Sequence, residues 1–268
     1  MRRARRPPRR QRREREPDEA LGNLCAREFR LRIAIRSRSA AARSPRRVAS
    51  IRSRALRLAI AAARDSRVET HLRRGSLVAS PAAPRHPRLL DRDAAVVVVI
   101  DVQEAYREVL FEYTRVARAV SVLVQGAAAL AVPVLVTEQY PKGLGHTAAE
   151  VAEHLPRAVT RIEKLTLSCC GTPLFVSTLA RLRRQQVILA GIETHACVNQ
   201  TAHDLIAAGY AVHLPRDTTS SRRAEDATIG WEKMLGAGVV PGTVESVLLE
   251  LVRTAASPEF KTIQHLIK

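Results

Sequence analysis

From residue 94 onward, apolar residues fall into short runs separated by helical spacings. AAVVVVIDV (94–102) is a continuous β-branched run, as expected of a strand buried on both faces of a parallel sheet. A helical stretch over about 112–130 leads to PVLVTE (133–138), a second strand. The loop QYPKGLGHT carries Pro and two Gly, and AVTRIEK (158–164) reads as a short third strand. TPLFVSTLARLRRQ (172–185) has apolar residues at helical spacing and a basic end that suits the helix dipole. QVILAGI (186–192) predicts a fourth strand, HACVNQTAHDLIAAG (195–209) a helix closed by Gly209, and YAVHLP (210–215) a fifth strand. A final α–β–α run ends the chain. Alternating strands and helices predict an α/β domain with a doubly wound, mostly parallel sheet flanked by helices.

Residues 1–90 break this pattern, because no long stretch keeps a clean period and RRARRPPRRQRRERE is a low-complexity charge run. The net charge of +18 belongs there: the segment holds 26 Arg, no Lys and 7 acids, while 91–268 is nearly neutral. Two units are therefore expected, an Arg-rich extension over 1–90, mostly disordered, and a folded domain over 91–268. RLAIAAA (57–63) would make at most one isolated helix. The acid-free stretch between Glu28 and Asp65 also has a transit-peptide composition, and sequence upstream of a misassigned start fits equally. With one aromatic in the segment to stack on bases, nucleic-acid contact by the tail is expected to be non-specific and salt-sensitive.

Two further features narrow the class. Cys25, Cys169, Cys170 and Cys197 form no CxxC pair and no Cys/His comb, so a reducing compartment, the cytoplasm, is expected, with an organelle as the alternative. The uncharged stretch 119–136 is divided by Pro133 into a helix end and a strand start, so no membrane span is expected. No GxGxxG or GxxxxGK[ST] loop is present, and no nucleotide cofactor is expected.

In such sheets ligands sit beyond the carboxyl ends of the strands. Strand one ends at Asp101, strand three at Lys164, and Cys197 follows strand four by about one turn. Each has an ordinary explanation: a turn former, a surface charge, a small apolar filler. Together they are a candidate engine, in which the carboxylate takes the thiol proton, the ammonium stabilises both, and a helix start offers backbone N–H donors. A thiol of pKa near 8.5, lowered by roughly two units, would need about 2.7 kcal/mol of differential stabilisation.

VVVVIDVQEAY (96–106), VLVTEQYPKGLGHT (134–147), IEK (162–164), LAGIETHACVNQTAHDL (189–205) and PRDTTSSR (215–222) together resemble the isochorismatase-like cysteine hydrolases. That family includes nicotinamidases and N-carbamoylsarcosine amidohydrolases. TEQYPKGLG and the terminal FKTIQHLIK are most similar to the isochorismatase-domain-containing subgroup. The resemblance implies a triad of Asp101, Lys164 and Cys197, and a cis peptide at Ile192–Glu193 that helps make an oxyanion hole of N–H groups near Ala196 and Cys197. It implies hydrolysis of a small amide or related C–N bond through a thioester, in a homo-oligomer. Vinyl-ether hydrolysis and a silent binding scaffold are the alternatives. The metal-binding Asp-x-His of nicotinamidases is missing, since EQYPKGLGHT offers only Glu138 and His146, so no metal is expected. Leu167 stands where the family often has an aromatic. Gln103, Tyr140 and Leu167 are candidate pocket residues, and Cys169 and Cys170 are expected to be packing residues.

Overall fold

The computed structural model describes residues 85–268. The expectations for the Arg-rich extension lie outside the described residues, except at its last few positions. There Leu90 is fully buried and its N–H donates to a Glu250 carboxylate oxygen at 2.8 Å, so the packed chain begins ahead of residue 91.

The sheet is built on β1 (Ala95–Ile100), whose six residues are all buried. Strands β2 (Val134–Gln139), β3 (Thr160–Lys164), β4 (Gln186–Ile192), β5 (Ala211–Pro215) and β7 (Val240–Gly242) join it in the order β3-β2-β1-β4-β5-β7. A two-residue β6 (Thr219–Ser220) pairs with β4, and every strand pairing is parallel. Because side chains alternate along a strand, Val97 and Val99 enter one core layer while Val96, Val98 and Ile100 enter the other. Full burial of each contributes about 1.5–3 kcal/mol, which is why an uninterrupted aliphatic run occupies the centre of the sheet.

The first layer is covered by α1 (Tyr113–Ala129), α7 (Val244–Val252) and α8 (Phe260–Leu266), through Val116, Val120, Leu123, Leu248 and Ile263. The second is covered by α4 (Pro173–Arg181), α5 (Asn199–Ala207) and α6 (Ala224–Ala237), through Phe175, Leu179, Leu205 and Met234. The expected α/β architecture is therefore present. The 119–136 stretch divides as expected, with α1 ending before Leu130 and β2 starting at Val134. No helix among the described residues is long and apolar enough to cross a membrane.

Four details differ from the pattern-based expectation. The loop after β2 contains two single-turn helices, α2 (Pro141–Leu144) and α3 (Ala149–Ala152). Helix α4 stops at Arg181 rather than near 185, because Arg183 takes the left-handed conformation at φ 53°. The run after β4 begins as a π-turn (Thr194–Val198) and becomes regular only at Asn199. The last segment also contains β6 and α8. All are too short or too irregular to show in a periodicity.

Most buried polar groups among the described residues are held by partners, and one that is not predicts acid behaviour. His213 on β5 points away from the layer that holds Val212 and Leu214, is buried, and has no hydrogen-bond partner at Nε2. Burial, assisted by the charge of Arg88, lowers its pKa from 6.5 to about 4. A base whose folded pKa is depressed stabilises the fold above its unfolded pKa and loses that contribution as pH falls. Stability should thus decline between pH 6.5 and 4 by about 3 kcal/mol from this residue alone. In His213→Leu, denaturant melts over that window should show a shallower acid slope; an unchanged slope would assign it elsewhere.

Candidate active site

The order β3-β2-β1-β4 places the sheet's reversal between β1 and β4, since successive strands are added on one side of β1 and then on the other. Crevices at such reversals are where α/β sheets bind ligands. Asp101 leaves β1 there with φ 53°, a left-handed conformation that Asp tolerates better than most residues. It turns its carboxylate off the strand direction. Lys164 ends β3, two strands away, and its side chain reaches back across β2.

The three candidate groups converge. Lys164 Nζ lies 2.7 Å from Asp101 Oδ2 and 3.5 Å from Cys197 Sγ. Nζ also donates to Gln139 Oε1 at 2.6 Å and to the carbonyls of Thr166 at 3.2 Å and Leu167 at 3.3 Å. Burial opposes the ammonium charge, but the Asp101 carboxylate beside it outweighs that cost and holds the pKa above the ordinary lysine value. The charge is therefore retained in a nearly dry site, with Lys164 3% and Cys197 7% exposed.

The thiol departs from expectation. Its pKa is not lowered but pushed up to about 12, by burial first and then by the Asp101 carboxylate, against the opposing pull of Lys164. At that pKa Cys197 is a protonated thiol near neutral pH, with Lys164 Nζ 3.5 Å from its sulfur.

The turn that carries Cys197 is fastened on several sides. Ile192–Glu193 is a cis peptide, at the position expected. Just before it Gly191 has φ 118°, and a Cβ there would lie 2.0 Å from the Ile100 carbonyl oxygen, so β1 and β4 close together only over a glycine. Glu193 accepts from the backbone N–H and Nε of Arg222, both at 3.0 Å. Thr194 and Thr219 hydroxyls meet at 2.7 Å, and His195 Nδ1 lies 2.9 Å from Ser221 Oγ. The DTTSSR run thus clamps the turn. The Ala196 N–H donates to the Glu193 carbonyl at 3.1 Å, so an oxyanion there competes with that carbonyl. Of the two N–H groups expected to form the hole, Ala196 is already engaged.

The pocket candidates separate. Of the two roles open to Gln103, pocket lining or structure, its bonds fit the structural one: it is fully buried, its amide nitrogen donates to Gln139 O and Gly145 O, and its oxygen accepts from Gln139 N–H. All its polar capacity is spent on fastening the loop after β2. Tyr140 is half exposed and lines a cleft of about 350 Å³ beside Lys164, with Pro141, Lys142, Glu163 and Leu165. Leu167 is about half exposed and touches the site through its carbonyl. A depression of about 450 Å³, whose lining includes Arg115, Asp217 and Leu266, shares no residue with the site.

Glu138 and His146 pair with each other, Oε2 to Nδ1 at 2.9 Å, and Thr147 donates to Glu138 through its N–H and its hydroxyl. Burial raises the Glu138 pKa, but these bonds outweigh it and hold the carboxyl below the usual range. Among the described residues no three His, Cys, Asp or Glu side chains gather as a metal-binding group. Cys169 is buried, with burial pushing its pKa to about 11, and Cys170 is pushed up further.

Two residues of the site went unnoticed in the sequence. Tyr106 is partly buried, and its phenol pKa is raised by burial and then by the negative fields of Glu193 and Asp101. Its position at the end of DVQEAY was the available signal. Thr137, on β2, donates its hydroxyl to Asp101 Oδ1 at 2.7 Å, and nothing in a strand sequence singles it out.

Known proteins share this domain and fold. The isochorismatase domain model matches residues 95–246. Isochorismatase domain-containing protein 1 of Salmo salar is 39% identical over 168 residues, 63% of this chain, and the chain spans 59% of that relative's length. A structure titled MAR1 ribonuclease from Caenorhabditis elegans is 35% identical with TM-score 0.64, covering 67% of this chain and 92% of that one. The YcaC gene product of Escherichia coli, described as an octameric hydrolase of unknown specificity, shares the fold at 23% identity and TM-score 0.60, over 64% of this chain and 85% of that one. With more than half its length matched by that domain, and the sheet order and crevice to go with it, the chain belongs to the isochorismatase family and carries its hydrolase fold.

Proposed function

We propose that the protein is a cysteine hydrolase of small amides or related C–N bonds. The observation that carries the reading is one ammonium, Lys164 Nζ, placed against both Asp101 Oδ2 and Cys197 Sγ in a nearly water-free crevice. Cys197 Sγ attacks the substrate carbonyl carbon while its proton passes to Asp101 Oδ2, and Lys164 balances the negative charge that moves between them. The tetrahedral oxyanion is met by backbone N–H groups of the π-turn. Its collapse breaks the C–N bond, and the departing amine takes the proton from Asp101. Water, deprotonated by the same carboxylate, then attacks the thioester and returns Cys197 as a thiol. No metal or cofactor enters these steps. The substrate enters by the cleft at Tyr140 and Leu165, whose size suits a small molecule. The working form is a homo-oligomer in the cytoplasm.

The name of the 35%-identical nematode structure raises phosphodiester cleavage as a second reading, and vinyl-ether hydrolysis is a third. Neither needs the thiol, so Cys197→Ala separates both from amide hydrolysis. The test is an ammonia-release screen over small amides and ureido compounds, with RNA cleavage run in parallel and a chelator in matched wells. Release from at least one amide, unaffected by the chelator, is expected. RNA cleavage that survives Cys197→Ala without any amide turnover would replace this reading, and zinc-restorable loss on chelation would refute its metal-free chemistry.

A further inference from the structure

A base that takes a proton from one direction must present one particular oxygen, yet a carboxylate has two and turns readily about its last torsion. In Asp101 the two oxygens are made unequal. Oδ1 accepts the Thr137 hydroxyl at 2.7 Å, between fully buried partners. Oδ2 faces the ammonium at 2.7 Å but receives no hydrogen bond of good geometry, so a lone pair stays open for a proton.

Thr137 is built to hold this arrangement. It lies on β2, the strand between β1 and β3, beneath the path by which Lys164 reaches Asp101. Its own carbonyl accepts the Asp101 N–H at 3.1 Å, so main chain and side chain grip the same residue. That second grip matters because Asp101 has left the regular strand conformation. A hydroxyl has one proton to give. Cys169 Sγ, 3.8 Å behind Thr137 Oγ1, is a weak donor to that oxygen, which leaves the hydroxyl proton aimed at the carboxylate.

We infer that Thr137 is the positioning residue of the base: its hydroxyl pins Asp101 Oδ1 so that Oδ2 is the oxygen that takes the Cys197 proton. This rests on the assignment of Cys197 as nucleophile and Asp101 as base, and extends it to a residue that never touches substrate.

The test uses p-nitrophenyl acetate and the full chain. In the acylation step the Sγ–C bond forms, the thiol proton passes to Oδ2, the C–O bond breaks, and p-nitrophenolate leaves with the electron pair. Thr137→Val keeps the shape and removes the hydroxyl, while Thr137→Ser keeps the hydroxyl. Loss of one buried hydrogen bond to a charged group should slow acylation by about 10- to 100-fold in Thr137→Val with half-saturation within about 2-fold, and Thr137→Ser should stay within about 3-fold of wild type. Should Thr137→Val fail to fold, Thr137→Ala reads the same quantity. Folded Thr137→Val acylating at the wild-type rate, or Thr137→Ser as slow as Thr137→Val, would overturn the inference alone. Wild-type protein carrying no acetyl group on Cys197 would overturn the nucleophile assignment itself.

Discussion

Replacing Cys197 with alanine should lower amide turnover by about 10⁴-fold or more, because a covalent nucleophile cannot be bypassed by the groups around it. The fold should survive. Cys197 is small, nearly buried, and sits in a turn fastened through Glu193, Thr194 and His195 rather than through its own side chain. Removing one sulfur atom costs about 1 kcal/mol, which for a domain of this size lowers the melting temperature by about 2–4 °C. Kinetics and a thermal melt on the same preparation check both halves. A variant that keeps more than about a tenth of its turnover would show that the thiol is filler.

Asp101→Asn should separate reactivity from catalysis. In the wild type the carboxylate helps raise the thiol pKa to about 12, so only a trace of thiolate exists at pH 8. Asparagine removes that negative field while Lys164 remains, and the thiol pKa should fall. Each unit of fall means about ten times more thiolate, so iodoacetamide should label Cys197 about 10-fold faster or more at pH 8. Turnover should drop by about 10²–10⁴-fold, since the proton acceptor is gone. A cysteine that is merely packed would label faster without any loss of turnover, and a standing thiolate would alkylate fast in the wild type with a plateau near neutral pH. Alkylation followed across pH distinguishes the three cases.

These expectations show what a sequence can disclose and where it stops. The central strands were legible because burial on both faces demands unbroken aliphatic runs, and AVVVVI and QVILAGI can do little else. Asp101, Lys164 and Cys197 were legible as chemistry at strand ends, and the order β3-β2-β1-β4 brings them together. What was hidden depends on sheet order and on field. Thr137 matters because β2 lies between β1 and β3, and no local pattern states which strands are neighbours. Gln103 could be read as lining the pocket or as structural, because side-chain direction after a strand end is unreadable; its amide holds the loop. The direction of the thiol shift was also unreadable. A lysine nearby suggests a lowered pKa, but burial and the closer balance with Asp101 reverse it.

The most direct measurement is acid-quenched mass spectrometry of the wild-type protein during turnover of p-nitrophenyl acetate, with peptide mapping of all four cysteines. A transient acyl group confined to Cys197, formed at the rate of p-nitrophenolate release and absent in Cys197→Ala, is the expected result. Turnover with no covalent species, or an acyl group on Cys169 or Cys170 instead, would contradict the assignment of Cys197 as the nucleophile.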